Sequence, residues 1–330
     1  GYSYFEGPPV ESLFDGVGEK ILEILNSSIK SPWFFYIHLM DLHWPLIVPQ
    51  KFEDEKFGKD KYDRVVSSID YHLKKFLDVL NLEETLIIIT SDHGHPIPFD
   101  EKDTTSFEPD LKLGLKVGKK LMPKFSHKFG ARIFNKTRET VKNKRLQVAN
   151  QNLSEYEIRS RLPPFIQSLF DELVKTPLLF SGYKMESLII KKQTRSLDIF
   201  PTVFDLLGFN HSGKIQGKSL LPLIRGDDYE ENSCYMHTIP HEKLSDNDQV
   251  GIRTSKYKYF RHARNPSSNI HLYDLTQDTL ENKNIYQENS EKIHEMEEII
   301  TKFSNFTDDN VLDDEEEAKI REELKRLGYL

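Results

Sequence analysis

Asp92 and His93 close the run Glu84-Thr-Leu-Ile-Ile-Ile-Thr-Ser-Asp-His-Gly94, in which apolar and β-branched residues give way abruptly to an acid, an imidazole and a glycine. The apolar stretch is too short to cross a membrane and reads as a strand buried on both faces. Ligands gather at the carboxyl ends of such strands, which is where this acid and imidazole stand. One carboxylate and one imidazole offer mixed oxygen and nitrogen ligation, suited to zinc or manganese, or to calcium if further carboxylates join. The plainer alternative is a capping Asp beside a hydrogen-bonded His. A second constellation is His38-Leu-Met-Asp-Leu-His-Trp-Pro45, which follows another apolar run. His43 lies before Trp44-Pro45 in a stiff, extended context that would aim its ring at an oxyanion, and Asp41 projects to the same side if the segment stays extended. His38 reads as a core histidine within the strand.

The elements that must position these residues alternate between two periods. Val10 to Ile29 and Asp63 to Leu80 repeat apolar residues at helical spacing, the second through Val65, Val66, Ile69, Leu73, Phe76, Leu77 and Leu80. Trp33 to Leu39, Leu86 to Thr90 and Thr176 to Phe180 read as strands, and Ser196 to Leu207 as a helix stopped by Gly208. Strands alternating with helices predict an α/β fold, a mostly parallel sheet sandwiched by helices. The C-terminal part changes character. Gly251 to Thr254, Tyr257 to Phe260 and His271 to Leu275 read as short strands, followed by helices over Ser290 to Phe303 and Asp314 to Leu327. A catalytic α/β domain over residues 1–225 and a small α+β subdomain over 226–330 are therefore expected. The acids at Asp308, Asp309 and 313–317 lack the glycine of a calcium loop and read as a helix start.

The chain has 330 residues, 37% of them hydrophobic, enough for a sizeable core. One cysteine, Cys234, excludes an internal disulfide framework and a cysteine-based zinc cage. The start carries neither an initiator Met nor a signal pattern and reads as the interior of a longer chain, so no compartment is assigned. A net charge of -8 argues against specific nucleic-acid binding by the whole chain. Charge is nevertheless uneven. Within an insertion spanning about 99–168, the stretch from Lys112 to Arg145 holds 12 Lys or Arg against the single acid Glu139. It reads either as a solvated surface or as an arm for a polyanion or an anionic membrane surface.

The ordered set of segments resembles the sulfatase family of the alkaline phosphatase superfamily. Thr90-Ser-Asp-His-Gly94 after an Ile-rich strand is similar to that family's metal motif, and Pro32 to Pro45 to the strand whose histidine contacts the sulfate. Lys61 to Leu73, Phe170 to Gly182, Ser196 to Gly208, Gln216 to Gly226, Ile252 to Tyr259, Leu272 to Leu275 and Leu324 to Leu330 resemble its later segments. The resemblance implies hydrolysis of a sulfate monoester, on a small or saccharide substrate, at one divalent metal ion, calcium first and manganese or zinc next. It implies Asp92 and His93 as metal ligands and His43 as a catalytic, substrate-contacting histidine. Asp41 takes a second substrate-side position, and Lys175 a basic position beside the third strand for which a plain surface role is equally open.

The family's nucleophile, a formylglycine made within Cys/Ser-x-Pro-x-Arg, has no counterpart in this chain, nor do the paired aspartates of its first strand. The expectation is a fragment lacking the N-terminal nucleophile segment and inactive by itself. A phosphodiesterase or phosphonate monoester hydrolase of the same superfamily is the alternative. A non-catalytic polyanion binder working through the insertion is the alternative of another class.

Overall fold

The computed structural model describes residues 12–27, 29–43, 46–95, 144, 147–148, 150–160, 168–183, 185–210, 215–238 and 246–307. The basic stretch, apart from Lys144, and the expected helix over 314–327 lie outside the described residues, as do the acids at 308–317 and the closing segment 324–330. In chain order the elements are α1 (Val17–Asn26), α2 (Lys61–Val79), β1 (Leu86–Thr90), α3 (Glu155–Ser160), α4 (Asp171–Val174), β2 (Leu178–Gly182), α5 (Ile199–Leu207), α6 (Leu221–Arg225), β3 (Cys234–His237), β4 (Gln249–Arg253), β5 (Tyr257–His262), β6 (His271–Asp274) and α7 (Ser290–Thr307). They fall into two compact units. The first comprises residues 1–92, 176–230 and 297–330, the second residues 93–175 and 231–296.

In the first unit, α1 and α2 pack through Leu13, Ile21 and Phe76, with Val17, Leu22, Leu25, Leu39, Ile69 and Leu73 around them. The helix expected from Val10 begins only after Gly16, whose φ of 103° is a left-handed conformation that ends the preceding 3-10 turn. Asp60 caps α2 by accepting from the Asp63 N–H at 2.9 Å. The buried face of α2 runs through Val65, Ser68, His72 and Phe76, so an imidazole sits inside the apolar stripe. Neither ring nitrogen of His72 has a hydrogen-bond partner, and burial lowers its pKa, with Lys75 acting in the same direction.

β1 pairs antiparallel with β2, Ile88 opposite Phe180, and the Thr90 hydroxyl donates to the Pro177 carbonyl at 2.9 Å. Four of the five β1 residues are half-buried and Thr90 is exposed, which corrects the reading of a strand covered on both faces. Trp33 to Leu39, expected as a buried strand, pairs in no ladder among the described residues; Phe34 is 87% exposed, and His38 is exposed rather than a core residue. An apolar run records what a segment can bury and not what covers it. A buried ion pair fastens the rest of this unit. Arg195 holds Asp198 at 2.7 Å and 3.2 Å, Asp198 accepts the Lys218 N–H, and Thr202 Oγ1 accepts the Leu220 N–H.

The second unit is built on the antiparallel sheet β3-β4-β5-β6, with Ile252 facing both Tyr235 and Tyr259. Its core is Leu169, Met236, Phe260, Tyr273 and Leu275, flanked by Phe170, Val174 and Cys234. His271 stacks on Phe260 and is hydrogen-bonded to Tyr273 Oη and Asn269 Oδ1, both at 3.0 Å. Burial, with the Arg159 charge adding to it, pulls the His271 pKa down from 6.5 to about 4. Its unfolded form therefore binds a proton first as the medium acidifies. The stability contribution of a neutral His271 is whole above pH 6.5 and is lost as pH falls toward about 4, by about 1–3 kcal/mol for a partly buried ring. The carboxyl of Glu281, whose pKa is raised by burial, works in the opposite sense, since its folded form takes up a proton first. Urea midpoints should fall across this window in the wild type and fall less in His271→Gln; parallel curves for the two proteins would remove the assignment.

Candidate functional site

β1 delivers the chain to Asp92 and His93, both exposed, and the boundary between the two units falls between them. His93 Nδ1 lies 2.7 Å from the Gly94 carbonyl oxygen. A carbonyl only accepts, so Nδ1 is the donor of this hydrogen bond. Gly94 is required where it stands. A Cβ there would meet the Glu172 carbonyl oxygen at 2.1 Å, and the Gly94 N–H donates to the Leu173 carbonyl at 2.7 Å.

Asp41 and His43 share the turn after Trp33 to Leu39, where the His43 N–H donates to the Met40 carbonyl at 2.9 Å. His43 is exposed; Asp41 is half-buried. The Asp41 carboxylate accepts the Leu13 N–H at 3.0 Å and so satisfies the start of a 3-10 turn. Burial raises its pKa, opposed by that backbone hydrogen bond. Lys175 is exposed at the end of α4, its N–H donating to the Asp171 carbonyl. Among the described residues, no group of three or more His, Cys, Asp and Glu side chains is gathered as a metal set. Asp92 and His93 supply two donors whose chemistry fits a divalent cation.

A family model for sulfatases matches residues 8–209, more than half of the chain, with the Asp92-His93 motif inside it. The chain belongs to the sulfatase family. A second family model, for the C-terminal region of N-sulphoglucosamine sulphohydrolase, matches residues 167–308 and so covers the four-stranded sheet. The chain is similar to mouse arylsulfatase K, 26% identical over 146 residues, covering 42% of this chain and 26% of that protein. It is also similar to the Δ4,5-hexuronate-2-O-sulfatase of Bacteroides thetaiotaomicron, 28% identical over 129 residues, covering 36% and 25%. The chain thus spans about a quarter of the length of these curated relatives.

Two solved structures from Bacteroides thetaiotaomicron share the fold. One comes from the metabolism of multiple glycosaminoglycans, with a TM-score of 0.53 and 15% identity, covering 89% of this chain and 55% of that one. The other has a TM-score of 0.51 and 15% identity, covering 93% and 66%. The sulfatase fold is the expected α/β class, alkaline phosphatase-like, although every strand pair among the described residues is antiparallel.

What sequence reasoning missed is the charged cluster on α4. Asp171 accepts from Arg253 at 2.9 Å and 2.7 Å and from Lys258 at 2.7 Å, and Lys258 Nζ is also 2.7 Å from Glu281 Oε1. These partners lie 82 and more residues from Asp171 in the chain, so no local pattern announces them. The nearest signal is the Tyr257-Lys-Tyr-Phe260 run, where a lysine sits between aromatic residues of one strand.

Proposed function

We propose that this chain carries the cation-holding part of a sulfatase that hydrolyses a sulfate monoester on a saccharide. The observation that carries the reading is the Asp92-His93 pair at the exit of β1, with Nδ1 of His93 tied to Gly94, inside the matched sulfatase region. The saccharide follows from the hexuronate-2-O-sulfatase among the relatives. Asp92 and Nε2 of His93 would hold one divalent ion, calcium first and manganese or zinc as alternatives, and that ion supplies positive charge against the developing oxyanion.

The chain's own side chains do the rest. His43, exposed on its turn, donates a hydrogen bond to a peripheral sulfate oxygen, and Lys175 adds positive charge on the substrate side. Asp41 fixes the turn that carries His43, through its bond to Leu13. In the net reaction, water and the ester give the alcohol and hydrogen sulfate, the S–O bond to the leaving group breaking as the bond to the nucleophile forms. The nucleophile, a formylglycine in this family, belongs on this reading to a segment outside these 330 residues, and the chain alone is expected to be inactive. Lys112 to Arg145 is carried as a contact for a sulfated polyanion or an anionic membrane surface, on its 12 basic residues against one acid.

The test is turnover of a chromogenic aryl sulfate by the full-length protein before and after chelation. Activity lost with the chelator and restored by calcium or manganese is expected. Turnover of an aryl phosphonate or a phosphodiester without turnover of the sulfate would assign the chain to the alternative hydrolase class. Failure on every ester, with salt-sensitive heparin binding retained, would leave only the polyanion-binding reading.

A further inference from the structure

Six charged side chains of the second unit converge on the short helix α4. Lys258 is fully buried, as is Glu281, and Arg253, Asp171, Arg159 and Glu172 are each at most 17% exposed at their side chains. The set is balanced, three cations against three anions. Arg253 grips Asp171 with both arms of its guanidinium, and Lys258 bridges Asp171 and Glu281. Glu281 Oε2 accepts the Asp171 N–H at 2.8 Å. Arg159 donates to Glu172 and to the carbonyls of Glu281 and Leu280, with its guanidinium 4.0 Å from the Phe170 ring centroid. Burial alone would raise the Asp171 pKa; the Arg253 and Lys258 bonds overcome it and hold the group well below the usual carboxylate range.

Well-packed apolar residues would fill such a volume with equal or greater stability, so a buried ionic cluster is better understood as a device that fixes geometry. What it fixes is the backbone of 170–175, and the next contact along is the Gly94 N–H on the Leu173 carbonyl at 2.7 Å. Gly94 is peptide-bonded to His93, and its Cα lies against Glu172 with no room for a Cβ. We propose that Asp171 is a positioning residue for the Asp92-His93 motif, acting from the Arg253–Lys258–Glu281 cluster through α4 onto Gly94. This inference rests on the metal reading of that motif for its functional consequence, and on the second unit alone for its mechanics.

The mechanical arm is hydrogen–deuterium exchange of the whole chain, resolved at Gly94. Asp171→Asn should speed exchange of the Gly94 amide by about tenfold or more while β4 and β5 amides keep their protection, a selective change that general destabilisation does not produce. Asp171→Glu should restore most of it. The functional arm is a titration with manganese. Supports of metal ligands are typically worth about 10–100-fold in affinity, so Asp171→Asn should weaken binding by about tenfold, and Asp92→Ala by more.

Unchanged Gly94 exchange in a folded Asp171→Asn protein overturns the proposal. So does unchanged manganese affinity where Asp92→Ala weakens it. If Asp171→Asn does not fold, Arg253→Lys keeps the charge, removes the two-armed grip and should move Gly94 in the same direction; no movement there overturns the proposal as well. Manganese binding that ignores Asp92→Ala counts against the metal reading instead, and the exchange arm then decides the positioning role by itself.

Discussion

On the proposed function, Asp92→Ala is expected to lower turnover of an aryl sulfate by about 10³-fold or more, because the charge a held cation would set against a developing oxyanion is worth several kcal/mol. The variant should fold as the wild type does, since Asp92 is exposed at the strand exit and exposed substitutions usually change stability by about 0.5 kcal/mol or less. Asp92→Asn keeps the shape and removes the charge, and should fall between the two. Raising manganese or calcium should recover part of the Asn variant and none of the Ala variant. Turnover within about threefold of wild type for Asp92→Ala, at equal metal occupancy, would take Asp92 out of the site.

Asp198→Ala should destabilise the fold by about 3–5 kcal/mol, because it leaves one half of a buried ion pair uncompensated. Asp198 is 1% exposed at its side chain and its partner Arg195 is 6% exposed. Its loss strands the guanidinium and also the Lys218 N–H that the same carboxylate accepts. The joint between residues 195–202 and 216–220 then loses the Lys218 bond and keeps that of the Leu220 N–H to Thr202 Oγ1. Replacing both partners, Arg195→Met with Asp198→Leu, should recover most of the loss, since two matched apolar groups bury no charge. Denaturant titration of the single and double variants beside the wild type reads this directly. An Asp198→Ala protein within about 1 kcal/mol of wild type would mean that water enters and solvates Arg195.

These two residues differ in how far the sequence exposes them. Asp92 and His93 are legible because an apolar run that stops at an acid and an imidazole is a local pattern. α2 is legible for the same reason: helical spacing over Asp63 to Leu80 finds Lys61–Val79 within two residues at either end. The spacing also held a signal that an apolar-only count passes over. Val65, Ile69, His72 and Phe76 step by four, three and four, so the burial of His72 follows from position although its residue type argues against it.

Trp33 to Leu39 shows the opposite limit, because its apolar run marks a surface to be covered and says nothing of what covers it. Asp171 was beyond local reading altogether. Its partners Arg253, Lys258 and Glu281 lie 82, 87 and 110 residues away, and only the folded second unit brings them together.

Gly94 and Leu173 meet at a single hydrogen bond, so the stretch between them departs from and returns to nearly one point. Doubling the length of such an excursion costs only about 0.6 kcal/mol of closure entropy. Descendants can therefore lengthen or shorten the excursion ahead of residue 155 at little cost, while residues 155–172, which carry Arg159 and Asp171, keep the seat of Gly94. The doorway at Gly94 makes this a permissive address in the chain for evolutionary novelty.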